Sequence, residues 1–435
     1  MKNILKVINW NKLSLDEQNK IFIRPVFFES NEIVESVKKI IEDVRILGDE
    51  ALKKYSQIFD RIMIDQFKIS KQKIFMSNSN VDNSKKNAIL EAIKNIKRFH
   101  LKQKVNSITV EVQPGISCQQ LIKPIESVGL YIPGGSAPLV STVLMLSVPA
   151  NIAGCANVIL CSPPPITEEI LYAAETCGVH QIFEIGGAQA IAALAFGTKS
   201  IPKVNKIFGP GNAYVTEAKR QVSQLLDHLA IDMLAGPSEV LIIADSTANA
   251  IFIASDLLAQ AEHGPNSQVI LLTPSITLVN EVLKALQDQC TKLSRLKIIK
   301  KSLSKSYIII THNLSECIKI SNSYAPEHLI IHTVDPEDLL DDIVNAGSIF
   351  LGKWSAETVG DYASGPNHVL PTYGCAMAYS GLSLIDFQKR INVHNLTKQG
   401  FINLAPTVLT LSQIEKMEAH SNSIKLRLNF IQGTI

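Results

Sequence analysis

Four short stretches of this chain bring together side chains that could bind a metal or move a proton. Gln260 and His263 stand three residues apart in Gln-Ala-Glu-His-Gly, so both project from one face if the segment is the last turn of a helix. Such a pair could hold a metal ion, although polar pairs at this spacing are common at helix ends and more often hold nothing. Glu327 and His328 are adjacent in Tyr-Ala-Pro-Glu-His-Leu; in a strand they would face opposite ways, and they serve one site only if the chain turns there or starts a helix. On pattern alone a solvated pair is the commoner outcome. The segment Trp354–Thr372 packs Asp361 and His368 among Gly360, Gly365, Pro366 and Pro371, too irregular for an ordinary helix or strand. Loops of that composition inside a folded core often carry function, with a purely structural loop as the alternative, and Asp361 is the natural carboxylate ligand within it. Glu415 and His420 lie five residues apart on a predicted helix, about 140° beyond a full turn, and could grip one ligand only from flanking positions. In isolation both read as surface residues.

A second set of residues could receive phosphate. The segment Tyr131-Ile-Pro-Gly-Gly opens the first strand-to-helix junction without a G-x-G-x-x-G, and the first acid after it, Glu168, is farther away than the ~20 residues expected of a ribose-binding carboxylate. Two further glycine-rich turns, Gly186-Gly187-Ala188-Gln189 and Gly209-Pro210-Gly211-Asn212, offer free backbone N–H groups at helix starts. Alone they fit any α/β ligand site.

These residues must be positioned by alternating strands and helices. From Ser127 onward short apolar β-type runs alternate with helical patterns and glycine or proline marks nearly every junction, the signature of βαβ units. Strands are expected at Val128–Ile132, Val158–Cys161, Ile182–Ile185 and Val204–Phe208, with helices near Leu139–Ser147, Ile166–Cys177 and Ala188–Phe196 ended by Gly178 and Gly197. A similar series follows: strand Val240–Ala244, helix Asn249–His263 capped by Gly264, strand Val269–Leu272, helix Leu278–Gln289, and strands Tyr307–Thr311 and Leu329–His332. The first hundred residues read as helical, clearest at Ile33–Leu47 and Ser84–Lys102 around a polar segment at 77–84, and the chain from about Leu382 reads as mostly helical.

Composition narrows the class. A chain of 435 residues, 46% hydrophobic and 19% charged, can bury a large core in two or more domains. With 42 basic and 40 acidic residues the net charge is +2, which makes nucleic acid and anionic membrane poor partners. The seven scattered cysteines never form C-x-x-C and fit a reducing cytoplasm, and the first twenty residues lack the continuous apolar run of an export signal. Ser127–Thr167 carries no charged side chain, but prolines 133, 138, 149 and 163 to 165 leave no stretch near the ~20 residues of a membrane span, so buried parallel strands are expected there.

Taken in order, the blocks YIPGG, GPGN, IDMLAGPSEV, QAEHG, APEHL, GDYASGPNHVLPT and the C-terminal E-x-x-x-x-H resemble the histidinol dehydrogenase family over essentially the whole chain. The resemblance implies an α/β fold of two Rossmann-like domains with small helical N- and C-terminal segments, assembled as an intertwined homodimer. It implies an N-terminal segment 1–26, a discontinuous α/β domain 27–129 and 238–381 carrying metal and catalytic residues, an inserted NAD-binding domain 130–237, and a C-terminal domain 382–435 reaching the partner subunit. The implied metal is zinc, one per subunit, held by Gln260, His263, Asp361 and His420. Ser238, His328 and Glu415 join these as implied substrate contacts, and Tyr131, Gln189 and Asn212 as NAD contacts. The implied reaction oxidises histidinol through histidinal to histidine with two NAD, in histidine biosynthesis, with Glu327 activating water and His328 removing protons. The stretch Tyr373-Gly-Cys-Ala-Met departs from many members, which puts only peripheral contacts in doubt. Two other readings stay open at this stage: a metal-independent NAD-linked alcohol or aldehyde dehydrogenase, and a non-catalytic α/β protein that binds a small molecule.

Overall fold

The computed structural model describes residues 5–24, 31–134, 138–233 and 236–434. Gly135 of the YIPGG block and two residues of IDMLAGPSEV lie outside these. The chain divides into two compact units, one of 1–103 and 125–387, the other of 104–124 and 388–435.

The first unit is built on two parallel sheets. In the five-stranded sheet Ser127–Tyr131 is central, flanked on one side by Asn157–Ser162 and then Gln181–Glu184, and on the other by Lys206–Phe208 and Ala230–Ile231. Taken in chain order the strands run 3-2-1-4-5 across the sheet. The six-stranded sheet repeats that order around Glu239–Ala244, with Gln268–Thr273 and Tyr307–Ile310 on one side and His328–His332 and Ser348–Leu351 on the other. Lys6–Asn9 is added at the edge beside Tyr307–Ile310. Helices cover both faces, so strands such as Glu239–Ala244 and Gln268–Thr273 are buried at every position. Each sheet therefore has an apolar cluster on either side.

The second unit pairs three antiparallel strands, Gln388–Leu396 with Ile116–Pro124 and that strand with Ile108–Gln113, and adds the helices Lys398–Ile414 and Glu418–Gln432. It buries little. Ile108, Val110, Val112, Leu411, Ile414, Leu426 and Phe430 are all exposed.

The predicted strands and most predicted helices are present within a few residues. Several expectations are corrected. The N-terminal segment is not simply helical, because Lys6–Asn9 joins a sheet edge; nor is the C-terminal segment, because Gln388–Leu396 is a nine-residue strand. The helix Val140–Ala153 runs past Ser147 and contains Pro149: its residues from Val143 to Ala150 are buried, and packing outweighs the lost N–H. The helix Lys71–Asn80 extends into the polar segment 77–84, capped by the Ser70 side chain. Gly178 and Gly197 do take positive φ at helix ends, but Gly264 does not, and the helix it was expected to cap ends at Ala261. Glu415 and His420 do not share a helix. Glu415 closes one, Lys416 is left-handed at φ 57°, and His420 lies in the next. Among the described residues no helix is long and apolar enough to cross a membrane, and all seven cysteines are free thiols.

Candidate functional site

The helix Ala250–Ala261 starts where the Asn249 side chain accepts the N–H groups of Ile251 and Phe252, and it carries Asp256, Gln260 and, just past its end, His263 at spacings of four and three. The His263 N–H bonds back to the Gln260 carbonyl at 3.2 Å, which keeps the helical turn going to the histidine. Gln260 is fully buried, yet among the described residues neither its Oε1 nor its Nε2 has a hydrogen-bond partner. An orphaned buried amide is costly, by roughly 1–3 kcal/mol, and points to a ligand atom that completes it.

Facing this is the short helix Glu357–Tyr362, where Glu357 and Asp361 are one turn apart. Gly360 between them lets the helix lie against the Phe350 ring, which any Cβ there would meet at 2.6 Å. His263 Nε2 lies 3.9 Å from Asp361 Oδ2, and ligand atoms of His263, Glu357 and Asp361 all fall within 4.8 Å of one another. One imidazole and two carboxylates at that mutual distance, beside an unpartnered amide, suit a divalent ion of the zinc type.

Glu327 and His328 converge on the same place. His328 is the first residue of its strand and Glu327 precedes it in a bend, after Ala325 in a left-handed conformation, so the two side chains escape strand alternation. His328 Nδ1 is 3.6 Å from Glu327 Oε2 and 3.8 Å from Glu357 Oε1, and its Nε2 is 3.5 Å from Asp361 Oδ1. Burial works against a charged imidazole here, but Glu357, Glu327 and the hydrogen bond to Asp361 outweigh it and raise His328 well above the ordinary histidine range. Burial first, and then Asp361, Glu327 and Asp256 against the pull of His328, raises the Glu357 carboxyl. Burial also lifts Asp256 to about 6. His368 Nδ1 donates to the Asp361 carbonyl at 2.8 Å and fixes that end of the segment. A cavity of about 350 Å³ opens here, lined by His328, Asp361, His368, Asn367 and Phe350 among others, large enough for one small molecule.

Residues 27–428 match the histidinol dehydrogenase family. The chain belongs to that family. It is 56% identical over all 435 residues of both chains to the histidinol dehydrogenase of Buchnera aphidicola from Schizaphis graminum, and 54% identical over 98% of both to that of Escherichia coli K12. The crystal structure of histidinol dehydrogenase from Elizabethkingia anophelis superposes with a TM-score of 0.95 at 42% identity, covering 99% of this chain and 100% of that one.

Of the residues that the histidinol dehydrogenase motifs single out, Gln260, His263, Glu327, His328 and Asp361 belong to the first unit, and Ser238 immediately precedes the strand that begins at Glu239. Glu415 and His420 belong to the second unit, both exposed. Tyr131 ends the central strand of the five-stranded sheet, Gln189 lies in the first turn of the helix Gly187–Phe196 that follows the strand Gln181–Glu184, and Asn212 follows the strand Lys206–Phe208. Tyr131 is buried, its hydroxyl accepts the Gly187 N–H at 3.1 Å, and burial lifts it to about 12. Gln189 is buried, with no partner for its Oε1 among the described residues, whereas Asn212 is exposed and caps the helix Ala213–Leu225. The turn before Asn212 is held from below: Lys219 Nζ donates to the Gly209 carbonyl at 2.9 Å and pairs with Asp232, which accepts the Gly209 N–H at 2.7 Å.

Sequence reasoning missed Asp256 and Glu357. The signal was available, because each stands four residues before a motif residue, Asp256 before Gln260 and Glu357 before Asp361, and so shares its helical face.

Proposed function

We propose that the chain is a zinc-dependent, NAD-linked histidinol dehydrogenase, converting histidinol through histidinal to histidine. Family membership supports the oxidation of an alcohol and then its aldehyde, within histidine biosynthesis. The observation that carries the site assignment is the meeting of His263, Glu357 and Asp361 with Glu327 and His328 beside the unpartnered Gln260 amide.

In this reading Gln260, His263 and Asp361 hold the zinc with His420, and Ser238 and Glu415 contact substrate. When bound, zinc supplies a Lewis-acidic anchor for the nitrogens of histidinol and undergoes no redox change, its d shell being full. His328 Nδ1, 3.1 Å from the Glu239 carbonyl, donates to it; Nε2, which faces Asp361 at 3.5 Å, would become the proton-accepting nitrogen once the Asp361 carboxylate is taken up as a zinc ligand and no longer favours the charged ring. His328 takes the alcohol proton as hydride leaves the carbinol carbon for NAD. Glu327 then draws a proton from water that adds to the aldehyde while His328 returns its proton to the aldehyde oxygen, and His328, neutral again, takes a proton of the hydrate as a second hydride leaves for a second NAD.

The 3-2-1-4-5 order of the five-stranded sheet supports a Rossmann-like reading of 130–237, with NAD at the carboxyl ends of its strands near Tyr131, Gln189 and Asn212. The exposed apolar side chains of the second unit support a dimer in which residues 382–435 meet a second copy. The test is a stoichiometry: purified protein with histidinol and NAD yields about two NADH per histidinol consumed, with little free aldehyde. One NADH with aldehyde accumulating in solution defeats the assignment.

A further inference from the structure

Glu327 and His328 are both mounted on a single residue. The Glu239 N–H donates to Glu327 Oε2 at 2.8 Å, and the Glu239 carbonyl lies 3.1 Å from His328 Nδ1. One amino acid at the start of the central strand thus sets the carboxylate rotamer through its donor and the imidazole tautomer through its acceptor.

Its own side chain is pinned. Arg24 meets Glu239 as a two-point fork, Nε to Oε1 at 3.0 Å and Nη2 to Oε2 at 3.1 Å, with both side chains buried. The Tyr373 N–H donates to Glu239 Oε1 at 3.0 Å. The same guanidinium lies over the Tyr324 ring, 3.8 Å from its centroid, and donates to the Tyr324 carbonyl and, at 3.5 Å, to that of Ala325. Those are the last carbonyls of the helix Leu314–Tyr324, where a cation is favoured, and they stand immediately before Pro326-Glu327-His328. Arg24 therefore ties Glu239 to the carbonyls of Tyr324 and Ala325, and Glu239 in turn holds the Tyr373 N–H, at the point where the proton-transferring pair is presented.

We propose that Arg24 is a positioning residue for the reaction, acting through Glu239 on Glu327 and His328. This rests on the reading that those two residues move the protons. An ion pair kept merely for stability needs neither the shared peptide mount nor the bonds to the carbonyls ahead of Glu327. Lysine in its place keeps the charge but cannot span two carboxylate oxygens and a carbonyl at once.

The experiment uses the zinc- and NAD-supplied enzyme and follows the first oxidation of histidinol in a single turnover, the stage assigned to His328 alone. Arg24→Met/Glu239→Gln removes both charges together and avoids leaving one buried and unpaired. In protein that melts cooperatively, the rate constant of this step falls roughly a hundredfold, the scale of a misplacement of about 1 Å, while NAD affinity stays unchanged. Added to His328→Asn, the double substitution costs no more than about a further twofold, because its effect passes through that imidazole. Arg24→Lys recovers part of the rate. A folded double variant with the normal rate, or a loss that multiplies with that of His328→Asn, overturns the proposal. If the double variant does not fold, Arg24→Lys decides by the same two measurements. If His328→Asn itself keeps full activity, it is the reading of the catalytic pair that fails.

Discussion

At the proposed proton-transfer site two neighbouring residues divide the work because the chain bends between them. Glu327 lies in the bend and His328 starts the strand, so the Glu327 carboxylate comes within 3.6 Å of the imidazole that lines the cavity. Only the aldehyde stage needs activated water, so Glu327→Gln should slow oxidation of supplied histidinal more than that of histidinol, while His328→Asn should damage both. Separate stopped-flow measurements with the two substrates check this, and equal losses in Glu327→Gln remove its water-activating role. The metal reading has a test that needs no turnover. A ligand bound only by the folded state stabilises it by about 2.7 kcal/mol at a hundredfold excess over Kd. Removing divalent ions by chelation should therefore lower Tm, added zinc should restore it, and His263→Asn should abolish the zinc-dependent shift. A melt indifferent to chelation and to zinc counts against the site.

Elements carry these residues to their places, and they were legible in the sequence to different degrees. The buried parallel strands were plain because both faces are apolar, as in Glu239–Ala244. The edge strand Lys6–Asn9 and the exposed strand Gln388–Leu396 were missed: the first is only four residues, and the second has few apolar positions and gains its hydrogen bonds from a partner some 270 positions away in the chain, as where His394 pairs with Cys118. Of the site, the motif residues were legible and their supports were not. Nothing in the spacing of Arg24, Glu239 and Tyr324 shows that the fold brings them together. Turns are where an element can be tested directly. Gly209 has φ 121°, a conformation nearly closed to other residues, and a Cβ there would run into the Tyr131 carbonyl. Gly209→Ala should therefore distort the turn at a cost of about 1–3 kcal/mol and weaken NAD binding roughly tenfold by calorimetry. Gly154→Ala also has positive φ but nothing near its Cβ, and it should leave NAD affinity alone. Equal effects of the two on NAD binding would show that the loss is general and not seated in the turn.

For the whole molecule, the second unit holds a sheet and two helices whose few buried residues include Ile116, Ala405, Ser412 and Ser421, the last two joined by a hydroxyl–hydroxyl bond of 2.6 Å. Leu411, Ile414, Leu426 and Phe430 on its helices stay exposed, which fits a surface covered in an assembly. If a second copy covers it, Glu415 and His420 of one chain complete the site built from Gln260, His263 and Asp361 of the other, and a symmetric dimer holds two such mixed sites. Gln260→Ala and His420→Ala should each be inactive alone. Unfolded and reassembled together, the two variants form heterodimers in which one site carries both substitutions and the other carries neither. Random pairing makes about half of the dimers mixed, so activity should return to roughly a quarter of the unsubstituted level if sites act independently. Mass spectrometry of the intact assembly shows whether heterodimers have formed, and if they have while activity stays at zero, each site is built within one chain.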